Sequence, residues 1–181
     1  MDESSDAVLF RVAQCIDDML KNIYHLEYFY KLKIKKDLIG HLVICLAPHI
    51  SAGVVGRIIG FSNTQGFFAH PLLHAALRRD CDGDEASVSL LMDGLINFSR
   101  RYLPARIGAR TMDAPLVLTS KVIPTEVDDQ VLGLDVVWEY PLELYETASE
   151  YKYPWDIPVD QMKNRINTKF QYENIGFTHS T

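Results

Sequence analysis

Three aspartates at alternate positions follow a pair of arginines near the middle of this 181-residue sequence. Asp80, Asp82 and Asp84 would bring three carboxylates into a small volume, where ionised carboxylates repel one another unless a cation lies among them. Oxygen ligands without an accompanying histidine favour Mg²⁺ or Mn²⁺ over zinc or copper. Gly83 has no Cβ, so the chain can turn sharply there and a phosphate can approach the backbone. The spacing predicts a divalent-metal site, with these three aspartates as ligands, that works on phosphate groups.

Other chemistry for the same loop must be weighed. An EF-hand that starts at Asp80 needs glycine at its sixth position and glutamate at its twelfth, but these positions hold Glu85 and Leu91. A calcium loop is therefore excluded. From these residues alone, a solvated acidic turn that caps the following helix and a metal-dependent phosphohydrolase both stay open as alternatives.

Acidic and basic residues are unevenly distributed along the chain. A net charge of −6 argues against nucleic-acid binding, because phosphate contacts need lysine and arginine. However, residues 38–79 contain no acidic residue, whereas residues 126–160 are rich in carboxylates and hold one base, Lys152. A neutral-to-basic centre beside the aspartates suits a phosphate site, and the acidic C-terminal third suits a subunit or solvent face.

Composition places the chain among folded globular proteins. Its hydrophobic content is 48%, no apolar run is long enough to span a bilayer, and the N-terminus is too acidic for a signal peptide. The three cysteines are far apart and odd in number, which favours a reducing compartment over a disulfide framework. We expect Cys15 and Cys45 to pack as small apolar residues.

The first third of the chain combines a helix pattern with an aromatic-basic run. Residues 6–26 are predicted to form an amphipathic helix. An aromatic-basic run follows at residues 24–36, which could stack bases and hold phosphates, although an anchoring aromatic cluster beside solvated lysines explains it too. The residues expected on the buried face of the helix are Val8, Val12, Ile16, Met19 and Ile23.

The pattern around the aspartates predicts alternating strands and helices. Residues 38–46 are expected to form a buried strand, and Ser51 to cap a short helix that ends at Gly60. Pro71 argues against a regular helix over residues 65–77, so His70 and His74 are not expected to form a metal pair. Each is expected to be a hydrogen-bonded core or rim histidine, or a phosphate contact. The aspartates are then expected at the end of a strand.

The rest of the chain is predicted to be mostly helical. Residues 86–102 carry the clearest helical pattern, and residues 116–123 are predicted to form a strand. Asp113, before that strand, is a candidate fourth carboxylate, although a turn role explains it as well. Two further helices are predicted over residues 141–151 and near 159–168.

Four segments together resemble one family over nearly the whole chain. They are LVICLAPHISAGVVGRIIGF at 42–61, AHPLLHAALRRDCDGDE at 69–85, MDAPLVLT at 112–119 and YPLELYE at 140–146. Their order and spacing resemble the large, catalytic subunit of the archaeal family D DNA polymerase, which is far longer. The sequence is therefore expected to be an active-site fragment of such a subunit.

The resemblance implies a fold and a site. The fold is a mixed α+β chain built on a double-psi β-barrel with helical insertions, of the two-barrel polymerase type. It implies an N-terminal helical and basic-aromatic segment (1–36), a catalytic barrel region (37–124) and an acidic helical region (125–181). Asp82 and Asp84 match the catalytic, metal-binding aspartates, whereas Asp80 stands where the family commonly has asparagine.

The same resemblance implies a reaction and its participants. The reaction is metal-dependent nucleotidyl transfer in archaeal DNA replication, with Mg²⁺, or Mn²⁺, as cofactor and primer-template DNA and dNTP as substrates. Arg78 and Arg79 would neutralise phosphate, and Arg57 or His49 would steady the template or nucleotide. Implied partners are the rest of the large subunit, a small exonuclease subunit and a sliding clamp, in the cytoplasm and without a membrane.

The resemblance also implies that this chain alone is inactive, because a second, lysine-bearing barrel lies outside it. A non-catalytic nucleic-acid-binding or assembly module of the same fold stays the alternative.

Overall fold

The protein divides into two compact units. The structure is a computed structural model that describes residues 3–48, 52–64, 66–79, 83–92, 97, 101, 117–119 and 129–176. The first unit comprises Met1–Asn63 and Glu85–Ser120, and the second comprises Thr64–Asp84 and Lys121–Thr181. Helices and strands both occur, so the predicted mixed α/β class is confirmed. No helix in the described ranges is long and apolar enough to cross a membrane.

The first unit holds a long helix and a four-stranded sheet. The elements in chain order are α1 (Ser5–Asn22), a 3-10 helix (Lys35–Leu38), β1 (Leu42–Leu46), β2 (Ala52–Arg57), β3 (Ser87–Leu90) and β4 (Val117–Thr119). The strands follow the order β3-β1-β2-β4 in the sheet. Strand β1 is antiparallel to both β2 and β3, and β2 is parallel to β4.

Strand β1 is the centre of this unit. Val43, Ile44 and Cys45 are all buried, as expected for a strand covered on both faces. The predicted strand over residues 38–46 is thus confirmed in its second half, while Leu38 ends the 3-10 helix. Burial raises the pKa of the Cys45 thiol, so this cysteine packs as the predicted small apolar residue.

Helix α1 forms where the pattern predicts it but turns a different face inward. Its buried residues are Ala13 and Asp17. The predicted inward stripe is wrong, because Val8, Val12 and Met19 are exposed, and Cys15 is exposed as well. Asp17 lies on the inward face instead, where its carboxylate accepts hydrogen bonds from three backbone N–H groups of a later loop.

One predicted helix is a strand instead, and a second begins as a strand but is helical at Asn97 and Arg101. The segment after Ser51 forms β2, because its glycines weaken a helix while Val54 and Val55 favour an extended chain that pairs on both sides. The predicted helix over residues 86–102 begins as β3, in which Ser87 and Ser89 are exposed and Leu90 is buried. That alternation has the two-residue period of a strand.

The second unit is mostly helical. Its core contains Leu72, Val136 and Met162, with Ile166 and Ile175 packed against them. The predicted helices over residues 141–151 and near 159–168 are confirmed, although both are shorter. The elements are α2 (Pro71–Leu77), α3 (Asp129–Leu132), α4 (Leu142–Ser149), a 3-10 helix (Pro154–Asp156) and α5 (Met162–Arg165).

Two finer expectations about the fold stay predictions. The four described strands form one sheet and do not by themselves define a double-psi β-barrel. The three-segment division at residues 36 and 124 likewise stays a prediction.

Candidate active site

The aspartate loop follows a helix, not a strand. Residues Pro71–Leu77 form α2, with Pro71 in its first turn. Proline is tolerated there because its missing N–H has no partner inside the helix and its φ is already helical. The expectation that Pro71 prevents a regular helix, and that a strand leads to the aspartates, is therefore wrong.

His70 caps this helix and is held by both ring nitrogens. Its Nδ1 accepts a hydrogen bond from the backbone N–H of Leu72 at 3.1 Å, and its Nε2 lies 2.8 Å from the carbonyl oxygen of Gln171. Because a carbonyl can only accept, Nε2 carries the proton and the ring is neutral. Burial lowers the pKa of His70, against the smaller effect of the Gln171 hydrogen bond.

His74 lies one turn further along α2. Its ring stacks on Phe67, with centroids 6.1 Å apart. Burial lowers the pKa of His74, and the positive charge that His70 would carry lowers it further. Both ring nitrogens of His70 are occupied, so this histidine is hydrogen-bonded, which is one of the two roles that the sequence predicts for it.

The end of α2 places the two arginines. Arg78 adopts a left-handed conformation, with φ 53°, and its N–H bonds back to the carbonyl oxygen of Ala75 at 3.1 Å. This cap stops the helix and turns the chain, as glycine or asparagine more commonly does. Arg78 is exposed after the turn, whereas Arg79 is half-buried.

Arg79 forms an ion pair with the last aspartate of the motif. Its guanidinium Nη1 lies 3.2 Å from Oδ2 of Asp84. Both side chains are about one-third exposed, at 31% and 36%. The arginine and carboxylate that the sequence assigns to phosphate and to metal are thus in contact with each other.

Gly83 provides the turn between the aspartates. Its φ is +111°, which L side chains rarely adopt, and among the described residues no atom beyond its chain neighbours lies within 4 Å of the place where a Cβ would stand. The backbone is therefore accessible on this side, so a phosphate or hydrated cation can approach it. The prediction that this glycine allows a sharp turn agrees with the observed conformation.

Four residues that the sequence assigns to the site are not described by the structure. Asp80, Asp82, His49 and Asp113 lie outside the described residues. Among the residues that are described, no group of three histidine, cysteine, aspartate or glutamate side chains could hold a metal ion. The predicted donor set is represented by Asp84, a partly exposed carboxylate, which fits a hard cation such as Mg²⁺.

Arg57 belongs to the first unit. It is exposed at the end of β2, where its guanidinium donates a hydrogen bond to the carbonyl oxygen of Gly40. Its contact with template or nucleotide stays a prediction.

One structural residue escaped the sequence analysis. Asp17 accepts hydrogen bonds from the backbone N–H groups of Phe29 and Tyr30 at 2.9 Å and of Lys31 at 2.8 Å. The sequence carries no signal for this role, because the partners of Asp17 are backbone N–H groups, and a buried carboxylate requires such partners.

Comparison with known proteins identifies the family. A family model described as "DNA polymerase II large subunit DP2, catalytic domain" matches residues 1–181. The chain belongs to this family. The resemblance expected from the sequence is confirmed.

Relatives named DNA polymerase II large subunit match the chain from end to end. The protein of Methanocorpusculum labreanum is 51% identical over 175 residues, which is 96% of this chain and 15% of that protein. The protein of Archaeoglobus fulgidus is 51% identical over 181 residues, and that of Pyrococcus furiosus is 52% identical over 175. These matches cover 99% and 96% of the chain and 16% and 14% of those relatives. The chain thus spans about one-sixth of the relatives it matches.

Proposed function

We propose that this chain is the active-site region of a DNA-directed DNA polymerase, which performs metal-dependent nucleotidyl transfer in archaeal DNA replication. The observation that carries the proposal is the match of all 181 residues to a catalytic-domain family of the DNA polymerase II large subunit. The substrates are primer-template DNA and dNTP. The whole polymerase acts in the cytoplasm as a complex of the large subunit with a small exonuclease subunit and a sliding clamp.

Asp82 and Asp84 are the catalytic carboxylates of this proposal and would hold Mg²⁺, or Mn²⁺, with Asp80 as an additional candidate ligand. When bound, the metal lowers the pKa of the primer 3′-hydroxyl and stabilises charge on the leaving pyrophosphate. The partly exposed position of Asp84 and the open backbone at Gly83 support this assignment.

The arginines neutralise phosphate charge. Arg79 pairs with Asp84, so a cation bound at Asp84 would compete with this guanidinium. Arg78 is exposed beside it and accessible to the same phosphates. Arg57 or His49 would steady the template or nucleotide.

The catalytic barrel region of residues 37–124 forms a double-psi β-barrel with helical insertions, as the family resemblance implies. A second barrel that carries lysines completes the site in the whole large subunit. For that reason the isolated chain is expected to be inactive.

Primer extension by the reconstituted polymerase tests this function. The full large subunit, carrying Asp82→Asn and Asp84→Asn together, would be compared with wild type at saturating dNTP and Mg²⁺. We expect extension to be lost, because the amides keep the shape of the side chains but not the charge that holds a cation. DNA binding measured on the same preparations should be retained.

A matched control uses an acidic residue of the same loop. Glu85→Gln removes one negative charge next to the aspartates, and extension should persist. Normal extension by the double aspartate variant would refute the proposal and assign the loop a structural role.

A further inference from the structure

Residues 23–36, here called the aromatic-basic loop, form an exposed segment that follows α1. Within it only Tyr30 is buried and only Leu32 is half-buried. The rings of Tyr24 and Phe29 are 62% and 64% exposed. The expectation of an anchoring aromatic cluster therefore holds for Tyr30 alone, and large exposed aromatic surface of this kind marks a contact with another molecule.

The loop is strongly basic in a chain that is acidic overall. Residues 23–36 contain four lysines and one glutamate, whereas the whole chain has a net charge of −6. Lys31 lies 3.9 Å from Glu27, and Lys35 pairs with Asp6 of α1 at 3.2 Å. Among the described residues, Lys33 and Lys36 have no carboxylate within ion-pair distance, although hydrogen bonds from the Ile34 and Lys33 backbone and the Lys33 charge lower the pKa of the Asp37 carboxyl. Both lysines are exposed and can reach an external anion.

Hydrogen bonds from backbone N–H groups to two carboxylates fix the shape of the loop. Asp17 binds the backbone N–H groups of residues 29–31. Oδ2 of Asp37 accepts from Lys33 at 2.8 Å and from Ile34 at 3.0 Å. The exposed Phe29 ring also lies edge-on against the buried Tyr30 ring, with centroids 4.9 Å apart. A ligand that stacks on Phe29 therefore meets a preorganised surface and loses little ordering entropy.

A second exposed aromatic segment shows why charge matters. In the second unit, Tyr153 and Trp155 stack with their centroids 5.2 Å apart, and both are exposed. Residues 139–156 around this pair contain five acidic residues and one lysine. The negative charge there would repel phosphate. Both surfaces expose aromatic rings, but only the aromatic-basic loop has the positive charge that attracts phosphate.

We propose that the aromatic-basic loop binds single-stranded DNA, with Phe29 and Tyr24 as stacking platforms and Lys33 and Lys36 as phosphate contacts. An aromatic ring stacks on a base only when the base is not already paired and stacked, so a single strand suits this surface better than a duplex. The choice of DNA over RNA rests on the proposed function, in which the template runs single-stranded ahead of the primer end. Binding by the loop itself does not depend on the aspartates.

Fluorescence anisotropy of a labelled oligothymidine with the 181-residue chain tests the stacking. We expect Phe29→Ala to weaken binding about tenfold, within the range measured for loss of one stacked base. Binding of a duplex of equal length should be unchanged by the same substitution, because paired bases keep their own stacking. Circular dichroism of each variant confirms that the exposed substitution leaves the fold intact.

The salt dependence tests the lysines separately. In Lys33→Gln/Lys36→Gln, the slope of log K against log salt should become shallower by about 1.4, which corresponds to two phosphate contacts on a single strand. Trp155→Ala is the matched control, an exposed aromatic on an acidic surface, and should bind the oligothymidine like wild type.

The outcomes distinguish this proposal from the proposed function. Asp82→Asn/Asp84→Asn should bind the oligothymidine like wild type, whatever its effect on extension. Equal binding by wild type and Phe29→Ala, or an unchanged salt slope in the lysine variant, overturns the proposal. A Phe29→Ala effect of equal size on duplex also overturns it, since the surface would then not select unpaired bases.

Discussion

The Nη1 atom of Arg79 lies 3.2 Å from the Oδ2 atom of Asp84, so a predicted phosphate-binding group neutralises a predicted metal-binding group within one loop. The contact places a positive charge where a divalent cation is expected to bind. Arginine and cation therefore compete for the same carboxylate.

Loss of Arg79 should strengthen metal binding while it weakens catalysis. For Arg79→Gln we expect Mn²⁺ to bind the chain about two- to fivefold more tightly, the range that a partly exposed ion pair supports. Electron paramagnetic resonance of free Mn²⁺ during a titration measures this affinity. Extension by the full polymerase should fall, because a phosphate contact is lost.

The neighbouring arginine supplies the control for this experiment. Arg78→Gln removes an equal charge one residue earlier but leaves the ion pair, and its Mn²⁺ affinity should change less. If Arg79→Gln bound Mn²⁺ more weakly than wild type, the competition would be excluded.

A side chain at Gly83 should be unfavourable because of the backbone conformation there, and not because space is lacking. Gly83 and Gly60 both have open space where a Cβ would stand, but of the two only Gly83 has a positive φ, at +111°. We expect Gly83→Ala to cost the loop about 1–2 kcal/mol of strain and to lower extension by the full polymerase. Gly60→Ala should leave extension unchanged, and equal losses in both variants would show that φ is not the cause.

The sequence predicted the elements whose pattern is unambiguous. Helix α1 and strand β1 formed as expected, because one has a long helical period and the other a short continuous apolar run. Strand β3 lies inside a stretch that the sequence predicts as a helix, because its four residues of two-residue alternation adjoin a longer helical pattern. Pro71 is predicted to break a helix, but it opens α2, where proline is favoured.

The sequence predicts those parts of the candidate site that depend on side-chain type. It does not predict interactions whose partners are backbone N–H groups. The aspartate motif and its arginines are evident from spacing, and the contact of Arg79 with Asp84 joins members of that motif. The partners of Asp17 are backbone N–H groups 12 to 14 residues later. Backbone groups leave no mark on the sequence, so the inward face of α1 could not be assigned from it.

Asp17 should be a stability residue of the first unit. Asp17→Asn replaces one acceptor oxygen with a donor, which leaves a backbone N–H of the aromatic-basic loop without its partner. We expect the free energy of unfolding to fall by about 1–3 kcal/mol, as for other unsatisfied buried groups. Urea denaturation measures the change, with the exposed neighbour Asp18→Asn as the control, and equal stability of Asp17→Asn and wild type would contradict the prediction.

The stability of the second unit should fall as the pH falls below about 6.5. Burial lowers the pKa of both His70 and His74 from the ordinary value of 6.5. The unfolded chain therefore binds more protons than the folded chain between the folded pKa values and 6.5. Stability that depends on these histidines is complete above 6.5 and is lost as the pH falls toward the folded values.

The hydrogen bonds of His70 give the physical reason and the test. Protonation of Nδ1 would remove the acceptor for the Leu72 N–H, which caps α2. Urea denaturation between pH 5 and pH 8 should show this slope, and His70→Gln, which stays neutral, should make it shallower by removing one histidine and its repulsion of His74. His25→Asn removes an exposed histidine instead and should leave the slope as it is. A slope that persists in full in His70→Gln would assign the pH dependence to other groups.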